Sequence, residues 1–225
     1  MSFLREVRKK LGEYLLIGGM IGGMLHAVSL WDYSGWKDIA NITKSRFSCP
    51  ASVNDVRVVT LNLAVDSDMI SNDAEKVFSG LEQKVSEASE VLKKEVGIEL
   101  KVQARTVYQG RNPQCFFEAT DYFSFIRTVP KKNCDVRLIV TNKDFSFHED
   151  SYGLEGITFS GSGAMIVRTG YWNLANLIIH EGLHLFYVEH SSDSESIMYY
   201  MDYGSWKIDE ETKVTTLDNK WRWFF

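Results

Sequence analysis

The chain has 225 residues, 44% of them apolar and 24% charged, with three prolines and a formal net charge of −5. These fractions are ordinary for a folded globular domain and exclude a disordered or collagen-like chain. No Lys/Arg stripe occurs beyond the N-terminus, so nucleic acid is not an expected partner.

The N-terminus differs in kind from the rest. Arg5, Arg8, Lys9 and Lys10 make a basic start, and the run 14–31 that follows is largely apolar and carries no charged side chain. Such a run reaches across a hydrocarbon core, which asks for about 20 helical residues. The basic flank assigns this end to the cytoplasm and the remainder to the far side of the membrane. Residues 1–31 are therefore expected to form a transmembrane signal anchor. The alternative is a signal peptide cut near Ala27-Val28-Ser29, although the run exceeds the usual h-region of about 7–15 residues. The rest of the chain would then be membrane-anchored outside the cytoplasm, or secreted if the segment is cleaved. Export permits disulfides. Cys115 and Cys134 bracket one polar, aromatic loop and are the favoured pair, leaving Cys49 odd; spacing alone does not fix the connectivity. Asn41-Ile42-Thr43 is a glycosylation sequon.

Residues 32–54, of mixed polarity and without a sustained period, read as a linker. A folded domain is expected over 55–225. Residues 56–65 are rich in β-branched side chains and predict a strand. Ser71-Asn72-Asp73 can cap a helix in which Val77, Phe78, Leu81, Val85, Ala88, Val91, Leu92 and Val96 recur every three or four residues. Gly97 is its stop signal. Residues 98–108 and 136–141 predict a second and a third strand, and 153–159 and 164–168 two short ones around Ser160-Gly161-Ser162-Gly163. A further helix starts near Tyr171 and runs through Ile178, Leu183 and Phe186.

That last helix carries His180-Glu181-Gly182-Leu183-His184, followed by Leu185-Phe186-Tyr187-Val188-Glu189-His190. Helical residues four apart share a face, so His180 and His184 can present both imidazoles to one ion. Glu181, beside the first of them, can reach a water at that ion. A catalytic zinc takes three protein ligands and keeps a position open. His190 supplies the third if the helix ends and the chain turns back. Three of the five histidines of the protein fall within these eleven residues.

The stretch resembles the metzincin clan of zinc endopeptidases, whose pattern is H-E-x-x-H-x-x-G-x-x-H followed by a methionine turn. His190-Ser191-Ser192-Asp193 leading to Ser196-Ile197-Met198-Tyr199 is most similar to the matrixin branch. The resemblance is strong over residues 180–203 and rests elsewhere on element order. It implies an α+β catalytic domain with a mixed five-stranded sheet, two long helices and a short C-terminal subdomain. It also implies Zn2+ on His180, His184 and His190, Glu181 as catalytic base, and Met198 as an apolar floor. Tyr200 matches a zinc-proximal tyrosine of astacins and serralysins, and is a candidate catalytic residue that could stabilise an oxyanion. The expected function is zinc-dependent cleavage of protein or peptide substrates outside the cytoplasm. The implied substrate strand pairs with residues 156–160, and 199–206 wall a pocket. The alternative is a catalytically inactive, metal-stabilised binding module on a membrane anchor, against which the presence of Glu181 tells.

Two details depart from the pattern. Where the clan has glycine between its second and third histidines, this chain has Tyr187, although that turn calls for positive φ, which a bulky residue resists. Cys49-Pro50 precedes the domain as a matrixin switch cysteine would, but the motif around such a cysteine is absent. His148 reads as a surface residue in a polar loop.

Overall fold

The strand at residues 57–66 is buried on both faces from Leu61 onward, which marks a strand within a parallel sheet. In the computed structural model it is β1, Arg57–Asp66, and lies between two parallel neighbours. The other strands are β2 (Ile98–Tyr108), β3 (Val136–Thr141), β4 (Gly156–Phe159) and β5 (Ala164–Arg168). They pair in the order β2-β1-β3-β5-β4, all parallel except β4, which runs antiparallel to β5 at one edge. The structure describes residues 51–70, 73–109, 125–143, 155–170, 173–199 and 204–224. The sheet is thus mixed and five-stranded, and the fold α+β, as expected.

The crossover from β1 to β2 is α1, Ala74–Val96. Its first turn is capped by the Asp73 carboxylate, which accepts from Lys76 N–H at 3.0 Å. Its buried stripe of Phe78, Leu81, Val85, Ala88, Leu92 and Val96 lies against the sheet. Gly97 ends it with φ +66°, a conformation that glycine alone adopts without penalty. A Cβ there would also collide with the Val53 carbonyl and the Lys220 ammonium. Alternation along the strands divides the core. Leu61, Leu63, Leu138, Val140, Met165 and Val167 face α1 and a second helix, α2 (Leu174–His184). Ala64, Ile139, Ala164 and Ile166 face the other way, where Phe125, Ile126 and Val129 cover them.

A third helix, α3 (Glu210–Asn219), follows from the capping carboxylate of Asp209. It presents no apolar stripe to the protein; Thr212 and Thr216 are its buried residues, and Lys220 continues the same line. The Lys220 ammonium is fully buried and donates to the Ser52 carbonyl at 2.7 Å, so the beginning and end of the domain meet.

The expected N-terminal helix, the sequon, Cys49, Cys115 and His148 lie outside the described residues. Among the described residues no helix is long and apolar enough to cross a membrane. The favoured Cys115–Cys134 bridge is corrected: Cys134 is a free, buried thiol 3.5 Å from the Lys132 carbonyl. Burial raises its pKa, as expected of a small apolar core residue.

Candidate metal centre

Helix α2 is buried along nearly its whole length, from Ala175 to Leu183. A helix buried on every side should be apolar all round. His180 and Glu181 break that rule and are 1% and 3% exposed. Burying such groups is unfavourable unless each finds a partner, and each does.

The imidazoles of His180, His184 and His190 converge. Ring centroids are 4.9 Å apart for 180–184 and 184–190 and 5.2 Å for 180–190. One nitrogen from each lies within 4.8 Å of the others. His180 donates from Nδ1 to the Ile197 carbonyl at 2.7 Å, and His184 from Nδ1 to the Val188 carbonyl at 2.6 Å. These bonds fix both rings in the tautomer that carries its lone pair on Nε2. Burial, then the neighbouring His184, pulls His180 down to about 3. Burial takes His184 to about 4, and lowers His190 as well. All three are neutral at pH 7, the state a metal requires.

The donor set suits zinc. Two nitrogens on a tetrahedral ion with bonds of 2.0–2.1 Å stand about 3.3 Å apart. Nε2 of His180 and Nε2 of His190 are 3.2 Å apart. The Nε2 lone pair of His180, freed by the Ile197 bond, therefore stands at a separation from His190 that a shared ion fits.

The Glu181 carboxyl lies against β4. Its Oε2 is 2.7 Å from the Thr158 hydroxyl, whose Oγ1 is also 2.8 Å from the Glu181 carbonyl. A hydroxyl has one hydrogen to give. Given to the carbonyl, it leaves Thr158 as acceptor for a protonated carboxyl. Burial pushes that carboxyl up to about 8, while the Thr158 bond opposes the shift. Gly156 makes the approach possible: a Cβ there would fall 2.6 Å from Glu181 Cγ.

After His184 the chain leaves the helix in tight turns, with Phe186 N–H donating to Leu183 O at 2.9 Å and Tyr187 N–H to His184 O at 3.1 Å. Tyr187 has φ +62°. The turn is therefore the one for which glycine was expected, built here with tyrosine. A side chain in that region costs about 1–2 kcal/mol. The Arg222 guanidinium carbon lies 3.4 Å from the centroid of the Tyr187 ring. A cation over an aromatic face contributes about 0.5–2 kcal/mol, enough to offset the strain.

Below the histidines runs the loop 191–199. Ser191 N–H donates to Met198 O at 2.9 Å, and Ile197 N–H to Lys207 O at 2.7 Å. Ser196 donates to the Asp209 carboxylate in a short bond and accepts from Met198 N–H at 3.1 Å. Met198 is wholly buried. Tyr199 is half-buried, and Tyr200 lies outside the described residues. Thr158, Asp209 and Arg222 were not singled out from the sequence. Asp209 stands before Glu210-Glu211 with the signature of a helix start; nothing in spacing marks Arg222.

No protein-family model matches the chain, and no curated protein matches it. Among solved structures it is similar to archaemetzincin from Methanopyrus kandleri, at TM-score 0.54 and 14% identity, over 73% of this chain and 96% of that one. A zinc-dependent peptidase from Methanocorpusculum labreanum aligns at TM-score 0.43 and 18% identity, over 69% and 98% of the two chains. A chaperone–substrate complex gives TM-score 0.52 and 11% identity, over 74% of this chain and 34% of that one. The likeness to archaemetzincin is one of fold.

Proposed function

We propose that this protein is a zinc-dependent metallopeptidase of the metzincin type, with Zn2+ on His180, His184 and His190 and Glu181 as general base. The observation that carries the reading is the convergence of three neutral imidazoles, two of them locked by backbone carbonyls, directly beside a buried carboxyl. The fold shared with archaemetzincin supports it. When bound, zinc supplies a Lewis acid for the scissile carbonyl and lowers the pKa of water towards 7.

The chain's own groups do the rest. A carboxyl raised to about 8 lies close in acidity to water on zinc, so it can take a proton from the attacking water and pass it to the leaving amine. Thr158 aims that carboxyl and exchanges a hydrogen bond with it in either protonation state. Strand β4, at the sheet edge beside Glu181, offers backbone groups to an extended peptide, which suits a protein or peptide substrate. The similarity to matrixins of residues 190–199 belongs to this proposal, as do a role for Tyr200 in oxyanion stabilisation and the domain limits 1–31, 32–54 and 55–225. So does the location. The basic start and apolar run of residues 1–31 support anchoring at a membrane with the domain outside the cytoplasm.

The test is metal analysis of the purified protein together with digestion of a peptide library by zinc-loaded wild type and Glu181→Ala. One zinc per chain in both is expected, with hydrolysis reduced at least about 10²–10⁴-fold in the variant. Equal cleavage by both forms, or none by the wild type, refutes the peptidase assignment.

A further inference from the structure

His190 is the most exposed of the three candidate ligands and the one set by a turn rather than a helix. Its place depends on the backbone at Tyr187, which holds φ +62°. In the resembled family a glycine meets that demand unaided. Here the last residues of the domain surround the turn. The Phe224 ring packs edge-on against Phe186, with centroids 5.6 Å apart, and the Arg222 guanidinium stacks on Tyr187 at 3.4 Å. The same guanidinium reaches the Ser160 carbonyl, just past β4, at 3.5 Å. The tail is itself anchored. Arg57 donates to the Lys220 carbonyl in a short bond and lies 4.7 Å over the Phe224 ring, and Lys131 Nζ donates to Phe224 O at 3.0 Å. Both turn residues, 186 and 187, are thus gripped from the C-terminal tail.

We infer that Arg222 is a positioning residue for the metal centre, clamping Tyr187 in its left-handed conformation so that His190 reaches the other two histidines. The inference rests on the metal reading proposed above. It explains how this chain dispenses with glycine at the turn. It also makes residues 220–224, more than thirty positions beyond His184, part of the site. The clamp predicts a particular dependence: Arg222 matters because residue 187 has a side chain, and should cease to matter when it has none.

The test uses the full chain as wild type, Arg222→Ala, Tyr187→Gly, the double variant and His190→Ala. Zinc affinity is measured by chelator competition, ligand number by the visible absorption of the cobalt(II)-substituted protein, and fold by circular dichroism of the metal-free form. Arg222→Ala should bind zinc about 10–100-fold more weakly, the range for loss of a group that orients a ligand. Its cobalt spectrum should move towards that of His190→Ala. Tyr187→Gly should bind zinc as wild type does, and the double variant should match Tyr187→Gly. Wild-type affinity in Arg222→Ala, or a double variant as weak as Arg222→Ala, overturns the clamp. If Arg222→Ala does not fold, the pair Tyr187→Gly and double variant decides: equal affinities support the clamp and a tenfold gap overturns it. A wild type that binds neither metal refutes the metal reading itself, whereas tight zinc binding indifferent to Arg222 refutes only the clamp.

Discussion

Glu181 is a carboxyl placed where ionising is hard, and that has a measurable signature in the metal-free protein. Its ordinary value near 4.5 is pushed up to about 8. Below the lower value folded and unfolded chains both hold the proton, and the stability tied to it is fully present. As the pH rises through the higher value the unfolded chain has long released it and the folded one must give it up in a buried site, so that stability is lost. Glu181→Gln keeps the shape without the ionisation. The thermal midpoint of the variant should therefore gain on that of the wild type between about pH 5 and pH 8; a constant difference would show an ordinary carboxylate. Thr158→Val removes the hydroxyl that aims Glu181 and should lower kcat roughly 10–100-fold while zinc content stays the same. Loss of zinc in that variant would place Thr158 in folding instead. At this scale the histidines and Glu181 were legible because their spacing on a helix is itself the chemistry. Thr158 and Arg222 were not, because each meets its partner only after the sheet or the tail has closed.

Among the elements, the strands were legible nearly to the residue. Long β-branched runs bounded by Gly97 and by Ser160-Gly161-Ser162-Gly163 leave the chain little choice. The start of α2 was expected near Tyr171; it is capped at Asn173, whose side chain accepts from Ala175 N–H at 3.1 Å. Helix α3 escaped an apolar-periodicity search because its inward line is Thr212, Thr216 and Lys220, three polar residues four apart. Burial there is met by hydrogen bonds: Thr212 Oγ1 to Asp209 at 2.9 Å, and Thr216 Oγ1 to the Thr212 carbonyl at 2.7 Å. Asp209 serves two elements, capping α3 and holding Ser196 in the loop beneath the histidines. Asp209→Ala should cost about 0.5–2 kcal/mol for the cap alone. In a domain of this size each kcal/mol lowers Tm by about 2–4 °C. Zinc affinity should fall with it; an unchanged affinity would show that the loop holds its shape without α3.

For the whole molecule, the described residues all belong to one unit, Pro50–Phe225. A fragment beginning at Pro50 should therefore unfold at the same temperature as the full chain and carry the same zinc. A lower Tm in the fragment would mean that residues before 50 contribute to the fold. The membrane proposal has its own check: protease added to intact cells should digest the domain and spare an N-terminal tag. Protection of the domain would refute the proposed export.

The hydrogen bond from Lys220 to Ser52 joins residues 168 positions apart, and that separation has a meaning in time. A ribosome that has just made His190 has still to make Arg222, about thirty residues later, which at ~5–20 residues per second takes roughly 2–6 s. Through that interval the nascent chain holds all three histidines and Glu181, yet lacks the tail that grips the turn before His190. Contacts of such long range close last in folding as well, since the loop entropy must be met first. If Arg222 sets His190, a chain of this design cannot bring its three histidines together while its own synthesis is unfinished. On the proposed peptidase reading, the neighbouring unfolded segments are spared until they have been folded away.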